Sequence, residues 1–312
     1  MKYCSVFLAT IIAASLGACN SGAHNTVNQP SKEFIAFGDS LTDNGNLFKA
    51  TQGMMPTSPT WYEGRFSNDK IWVEDLIESL NALTPNQYSL YDQAYGGATS
   101  GSVSIAGSLP QIKPLQQQVT DWLAGHQVNT NQIYSIWIGG NDFMLTNESA
   151  GYVANNVKYS VDLLLSKGVK NILILNLPNI ATAPNFGTLP SNVRQVLAQK
   201  VANYNQDLSI IFSNAIYESN VKVIDIAQKF NDVLQNPTSY GFSNLNVSGS
   251  CRSTTGYSLP LNESEFFSYF TSAHAISNNT NEYVFYDPLH PTGIIHKIIA
   301  NYVFNEIESL GV

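Results

Sequence analysis

Five short apolar runs alternate with stretches of helical period along this chain, and that alternation limits its fold more than any other feature. The runs are residues 33–38, 88–94, 132–138, 171–177 and 221–226. The fourth is the clearest: Ile-Leu-Ile-Leu lies between two Asn residues, and Pro178 stops the run. Between and after the runs, apolar spacing predicts helices over 70–82, 114–124, 152–166, 193–217 and 294–310. Apolar strands joined through helices return in the same direction by right-handed crossovers. The expected fold class is therefore α/β, with a central parallel sheet of about five strands covered on both faces. In such sheets sites form at the C-terminal ends of the strands. The informative residues should lie just after the runs.

Composition narrows the class. Hydrophobic residues make up 44% of the 312, enough for a sizeable core, while charged residues are only 12%. The net charge of −8 lacks the basic face that a nucleic-acid binder needs. The first residues read as an export signal rather than as fold. Lys2 precedes an apolar run over 6–17 that is too short to span a bilayer. Leu16-Gly17-Ala18-Cys19 resembles a bacterial lipobox and equally fits an ordinary small-residue cleavage site. The expected organisation is a signal peptide over 1–18, a polar tether over 19–32 and a single domain over 33–312. The product would be secreted or, with Cys19 lipidated, held as an outer-membrane lipoprotein. An insert over 236–281 is rich in Asn, Ser and Thr but keeps Tyr240, Phe242, Tyr257, Phe266, Phe267, Tyr269 and Phe270, which predicts a packed loop or lid.

Four places carry chemistry. Ser40 follows the first run directly, within Gly38-Asp39-Ser40-Leu41. A Ser there is more often a helix cap than a nucleophile. Near the C-terminus, Asp287 and His290 stand three residues apart, so one turn brings both to the same side. The carboxylate can then orient the imidazole, leaving the other ring nitrogen to take a proton. Pro291 suits the first position of the closing helix. Gly139-Gly140-Asn141-Asp142 follows the third run, where an Asn amide can donate to a developing oxyanion. Tyr95-Gly96-Gly97 follows the second, where a glycine N–H can do the same. Together these supply a nucleophile, a base, an orienting acid and oxyanion donors, the set that acyl transfer needs.

These motifs, in this order and separation, resemble the GDSL (SGNH) lipase/esterase family from Phe34 to the end of the chain. Gly64-Arg65-Phe66-Ser67-Asn68 also resembles a segment of its longer members, and the nearest subgroup is the exported lysophospholipase and glycerophospholipid:cholesterol acyltransferase-like enzymes. The resemblance implies a flavodoxin-like three-layer α/β/α sandwich. It implies Ser40 as nucleophile, His290 as base and Asp287 as its partner. The oxyanion hole would be Ser40 N–H, Asn141 and Gly97, with Gly96 the alternative to Gly97. No metal or organic cofactor is implied. The substrate implied is a lipid ester, a lysophospholipid or phospholipid met at a membrane or micelle surface, with acyltransferase side activity open. A general carboxyl or carbohydrate esterase, or a non-catalytic exported binding module, would share the fold. Many relatives carry paired cysteines in the insert, whereas Cys251 stands there alone. A thiol nucleophile at Cys251 is disfavoured because no His lies near it in sequence.

Overall fold

The computed structural model describes residues 32–57, 60–83, 87–102, 112–243, 247–252, 269–271, 276–277 and 279–308. The segments expected to be a signal peptide and a polar tether lie outside the described residues, apart from residue 32, as does much of the expected insert.

All five predicted strands form: β1 (Lys32–Gly38), β2 (Tyr88–Asp92), β3 (Gln132–Trp137), β4 (Ile172–Leu175) and β5 (Val221–Ile224). They make one sheet in the order β2-β1-β3-β4-β5, with every neighbouring pair parallel. The central strands β3 and β4 are buried at every position, which is why they read as continuous apolar runs rather than alternating ones. The helices are α1 (Asn46–Ala50), α2 (Trp72–Leu83), α3 (Leu115–Gly125), α4 (Gly140–Met144), α5 (Ala150–Ser166), α6 (Ser191–Phe212), α7 (Ala215–Glu218), α8 (Ile226–Gln235) and α9 (Gly293–Glu308). α2 packs on α9 and α9 on α8, while α3 packs on α5 and α5 on α6. The two groups cover opposite faces of the sheet, completing a three-layer α/β/α sandwich. No described helix is long and apolar enough to cross a membrane.

Three expectations are corrected. The helix expected over 193–217 breaks at Ser213, because the Asn214 side chain accepts a hydrogen bond from Ile216 N at 3.2 Å and starts α7 afresh. The fifth strand ends at Ile224 rather than 226, because Asp225 caps α8 through Gln228 N at 3.0 Å. Pro291 is not in the closing helix, which begins at Gly293.

Strand order reverses between β1 and β3, so the connections leaving their C-terminal ends depart to opposite faces and open a crevice. Gly38 sets how closely the two ends approach. A Cβ there would sit 2.5 Å from the Trp137 carbonyl oxygen. Gln118 of α3, fully buried, spans the same residue: its Oε1 accepts from Gly38 N at 3.0 Å and its Nε2 donates to Gly38 O at 2.8 Å. Gly38→Ala should therefore cost about 1–3 kcal/mol of stability through overpacking. Gln118→Leu should cost a similar amount, about 1–3 kcal/mol, by stranding a buried N–H. Urea unfolding midpoints unchanged in both variants would contradict this account of the β1–β3 junction.

Candidate active site

Ser40 lies in the turn after β1, at the mouth of the crevice. His290 Nε2 is 2.8 Å from Ser40 Oγ, and His290 Nδ1 is 2.7 Å from Asp287 Oδ2. With Asp287 accepting from Nδ1–H, the Nε2 lone pair faces the Ser40 hydroxyl. The local geometry is not the helical turn that the spacing suggested. Asp287 Oδ1 accepts from the backbone N–H of Leu289 and His290, each at 2.6 Å, and Tyr286 N donates to His290 O at 2.8 Å. The carboxylate thus shapes its own turn with one oxygen and holds the imidazole with the other. Asp287 is completely buried, and Ser40 and His290 nearly so.

The glycine-rich loops divide their work. Gly96 N donates to Asp43 Oδ2 at 2.7 Å and is committed. Its lack of a side chain admits Phe66, whose ring would lie 2.3 Å from a Cβ on Gly96. Gly97 has φ 81°, which favours glycine, and it lines the cavity beside Ser40. Among the described residues, neither Ser40 N–H nor Gly97 N–H has a hydrogen-bond partner. Asn141, at the start of α4, donates one amide hydrogen to Ala98 O at 2.9 Å and lines the cavity. That bond also ties the Gly97 loop to α4.

The 64–68 segment clamps the histidine loop. Ser67 Oγ donates to Pro291 O at 3.0 Å, and Asn68 Oδ1 accepts from Gly293 N at 2.9 Å, at the first turn of α9. The Phe66 ring lies 5.1 Å from the His290 ring, and Phe270, from the insert, lies 5.8 Å from it. Cys251 N and Arg252 N donate to Phe285 O and Tyr286 O at 3.1 and 2.7 Å, bracing the turn from the other side. The Cys251 thiol is buried and unpaired, donates to Tyr286 O at 3.2 Å, and is pushed up to about 12 by burial. It is a packed hydrophobe, not a nucleophile. His126 stacks on Trp122. His296 Nδ1 accepts from Trp72 N at 3.2 Å, tying α9 to α2, and burial pushes its pKa down to about 3. Among the described residues no three His, Cys, Asp or Glu side chains converge to hold a metal ion.

Buried carboxyls that the sequence reading passed over support the loops. Asp43 accepts from Gly45, Asn46, Leu47 and Gly96 N–H, and Asp142 accepts from Ser100 N and Oγ. Asp39, beside Ser40, accepts from Leu41 N at 3.1 Å and lines the cavity. The closely spaced Asp, Asn and Gly residues of 39–46 were the available signal, since that pattern marks Asx turns.

The site opens on a cavity of about 840 Å³, counting its mouth. Its walls are mainly apolar and include Leu41, Met144, Leu177, Ile180, Phe285 and Leu289. A hydroxyl, an imidazole and a carboxylate in series at the C-terminal edge of a doubly wound sheet, opening on such a cavity, define the serine ester hydrolase class. The chain belongs to the GDSL-like lipase/acylhydrolase family, whose sequence model matches residues 34–303. It is 25% identical to phosphatidylcholine-sterol acyltransferase of Aeromonas hydrophila, over 99% of this chain and 98% of that one. It is 27% identical to thermolabile hemolysin of Vibrio parahaemolyticus, over 88% of this chain and 64% of that relative. The fold resembles the inhibitor-bound form of M. smegmatis aryl esterase, with a TM-score of 0.52 at 14% identity over 89% of this chain and 99% of that one.

Burial pushes Asp39 up to about 7, and Asp43 and Asp142 to about 6, against the opposing pull of the N–H donors. An unfolded Asp titrates near about 3.9, so from there to about 7 the folded protein binds more protons than the unfolded chain. The contribution of Asp39 to stability is fully present below about pH 4 and is lost as pH rises through about 7. Buried His296 acts with the opposite sign below about pH 6.5, so the test is a difference between two proteins. Asp39→Asn cannot ionise, and its melting temperature should gain on the wild type as pH rises from about 5 to 8. A difference that is flat or shrinks over that range would contradict the assignment.

Proposed function

We propose that this protein is an exported serine acyl-hydrolase that releases fatty acid from lysophospholipids or phospholipids. The observation that carries the reading is the Ser40–His290–Asp287 hydrogen-bond series at the mouth of a mainly apolar cavity. A long acyl chain suits such walls better than a sugar does, because apolar burial is favourable at roughly 25 cal/mol per Å².

In the mechanism, Ser40 Oγ attacks the ester carbonyl while His290 Nε2 takes its proton. Asp287, buried and hydrogen-bonded to Nδ1, holds the ring orientation and stabilises the imidazolium. The oxyanion is received by Ser40 N–H, Gly97 N–H and the second amide hydrogen of Asn141. Gly97 is preferred over Gly96 because Gly96 N–H already serves Asp43. His290 returns the proton to the leaving alcohol, and the acyl group stays on Ser40. Water, activated by His290 in the same way, releases the fatty acid. An alcohol in place of water gives a new ester, so acyl transfer needs only a second acceptor at the same intermediate. The similarity to a phosphatidylcholine-sterol acyltransferase along nearly the whole chain supports a lipid substrate. The Lys2-led apolar run at the N-terminus supports export.

The test is fatty-acid release from lysophosphatidylcholine by the mature protein, with a diacyl phospholipid and a short-chain ester beside it. The lysolipid should be fastest. Ser40→Ala should lose at least about 10³-fold in rate while keeping its melting curve. Asn141→Ala should lose about 10²–10³-fold in kcat, the usual loss for one oxyanion donor. Full activity in Ser40→Ala would overturn the mechanism. Activity confined to short esters would replace the lipid substrate with a general carboxyl ester.

A further inference from the structure

The cavity beside Ser40 does not stand alone. A second groove, of about 1390 Å³ counting its open side, runs between α6 and α8. Its lining is mixed: Ala198, Ala202 and Leu234 make an apolar stripe, and Gln195, Asn205 and Asp225 are among the polar residues beside it. Leu177, Asn179, Thr182 and Phe230 line both spaces. These residues therefore form the partition between the site and the groove.

The two sides of that partition are built differently. Leu177 is pinned through its backbone: its N–H donates to Asn205 Oδ1 at 3.0 Å, and its carbonyl accepts from Asn205 Nδ2 at 2.8 Å. Asn179 and Thr182 are locked to each other, with Thr182 Oγ1 donating to Asn179 O at 2.7 Å. The other side is a single aromatic side chain. Phe230 projects from α8, is 5% exposed, and meets Phe285 edge-on with ring centroids 5.8 Å apart. Turning a ring held by packing alone breaks no hydrogen bond, whereas moving the Leu177 backbone breaks two.

We propose that Phe230 is the chain-length gate of this enzyme: it closes the far wall of the acyl cavity, and longer acyl chains pass it into the α6–α8 groove. This rests on the acyl-hydrolase reading above. Short chains end before the ring. Long chains displace it and lay their terminal carbons along the apolar stripe of Ala198, Ala202 and Leu234. The side chain at position 230 then sets which fatty acid is released fastest.

The test compares kcat/KM for decanoyl and stearoyl lysophosphatidylcholine, at a fixed mole fraction in one detergent micelle. The wild type, Phe230→Ala, Phe230→Leu and Phe230→Trp are each normalised by titrating the reactive serine with a fluorophosphonate. The stearoyl-to-decanoyl ratio should rise by about fivefold or more in Phe230→Ala, rise less in Phe230→Leu and fall in Phe230→Trp, as expected when pocket length changes by several methylenes. If Phe230→Ala does not fold, the Leu and Trp variants decide. Ratios within about twofold of the wild type in every folded variant would overturn the gate while leaving the hydrolase reading intact. A wild type silent on both lysolipids and on a short soluble ester would overturn both.

Discussion

The hydrogen bond between His290 and Ser40 joins residues 250 apart in the sequence, and the site exists only while that closure holds. Bringing such distant residues together carries a large entropic cost, so a single contact cannot maintain it. The structure spreads the task over three elements. Asp287 closes the histidine turn from within, the 64–68 segment grips Pro291 and the start of α9, and the 251–252 backbone pairs with 285–286. The Tyr286 hydroxyl donates to Thr60 O and ties the same turn to the segment before Trp61. Aromatic rings from 61, 66 and 270 then pack against His290. His290 is thus positioned by parts of the chain far from it in sequence.

A second constraint acts below the site. Asp39, Asp43 and Asp142 are withdrawn from water and Asp92 is partly so, around the ends of β1, β2 and β3, and desolvation raises the pKa of each. Backbone N–H groups converge on all four, because loops at a switch point leave many donors without a ladder partner. The carboxyls replace the ladder. In doing so they decide which N–H groups are spent and which stay available: Asp43 uses Gly96, and Gly97 is left facing the cavity. The cost of burying these carboxyls is thus linked to the geometry of the loops around the cavity.

Much of the architecture was legible in the sequence. The five apolar runs became five parallel strands, because strands buried on both faces need apolar residues at every position. The short helices α1 and α4 escaped, being too short to show a period, and α8 was hidden because its cap, Asp225, sat inside a run read as strand. Ser40 and Asn141 stood out by their position after a run, and Asp287 and His290 by their spacing; the structure brings Ser40, His290 and Asp287 into one hydrogen-bond series. Asp39, Asp43, Asp142 and Gln118 did not stand out, since a supporting residue is defined by what it faces, and Gln118 faces Gly38 across 80 residues.

The sequence by itself determined the layer architecture and the chemical types at the strand ends, because periodicity and residue chemistry are local properties. Only the tertiary structure decided which of two adjacent glycines keeps its N–H, since that turns on a carboxylate 53 residues away. Only it showed that the lone Cys251 is packing and that His296 serves a helix terminus rather than the site. It alone revealed that Phe230 stands between two cavities, for a wall is a relation between elements and has no signature in any one of them.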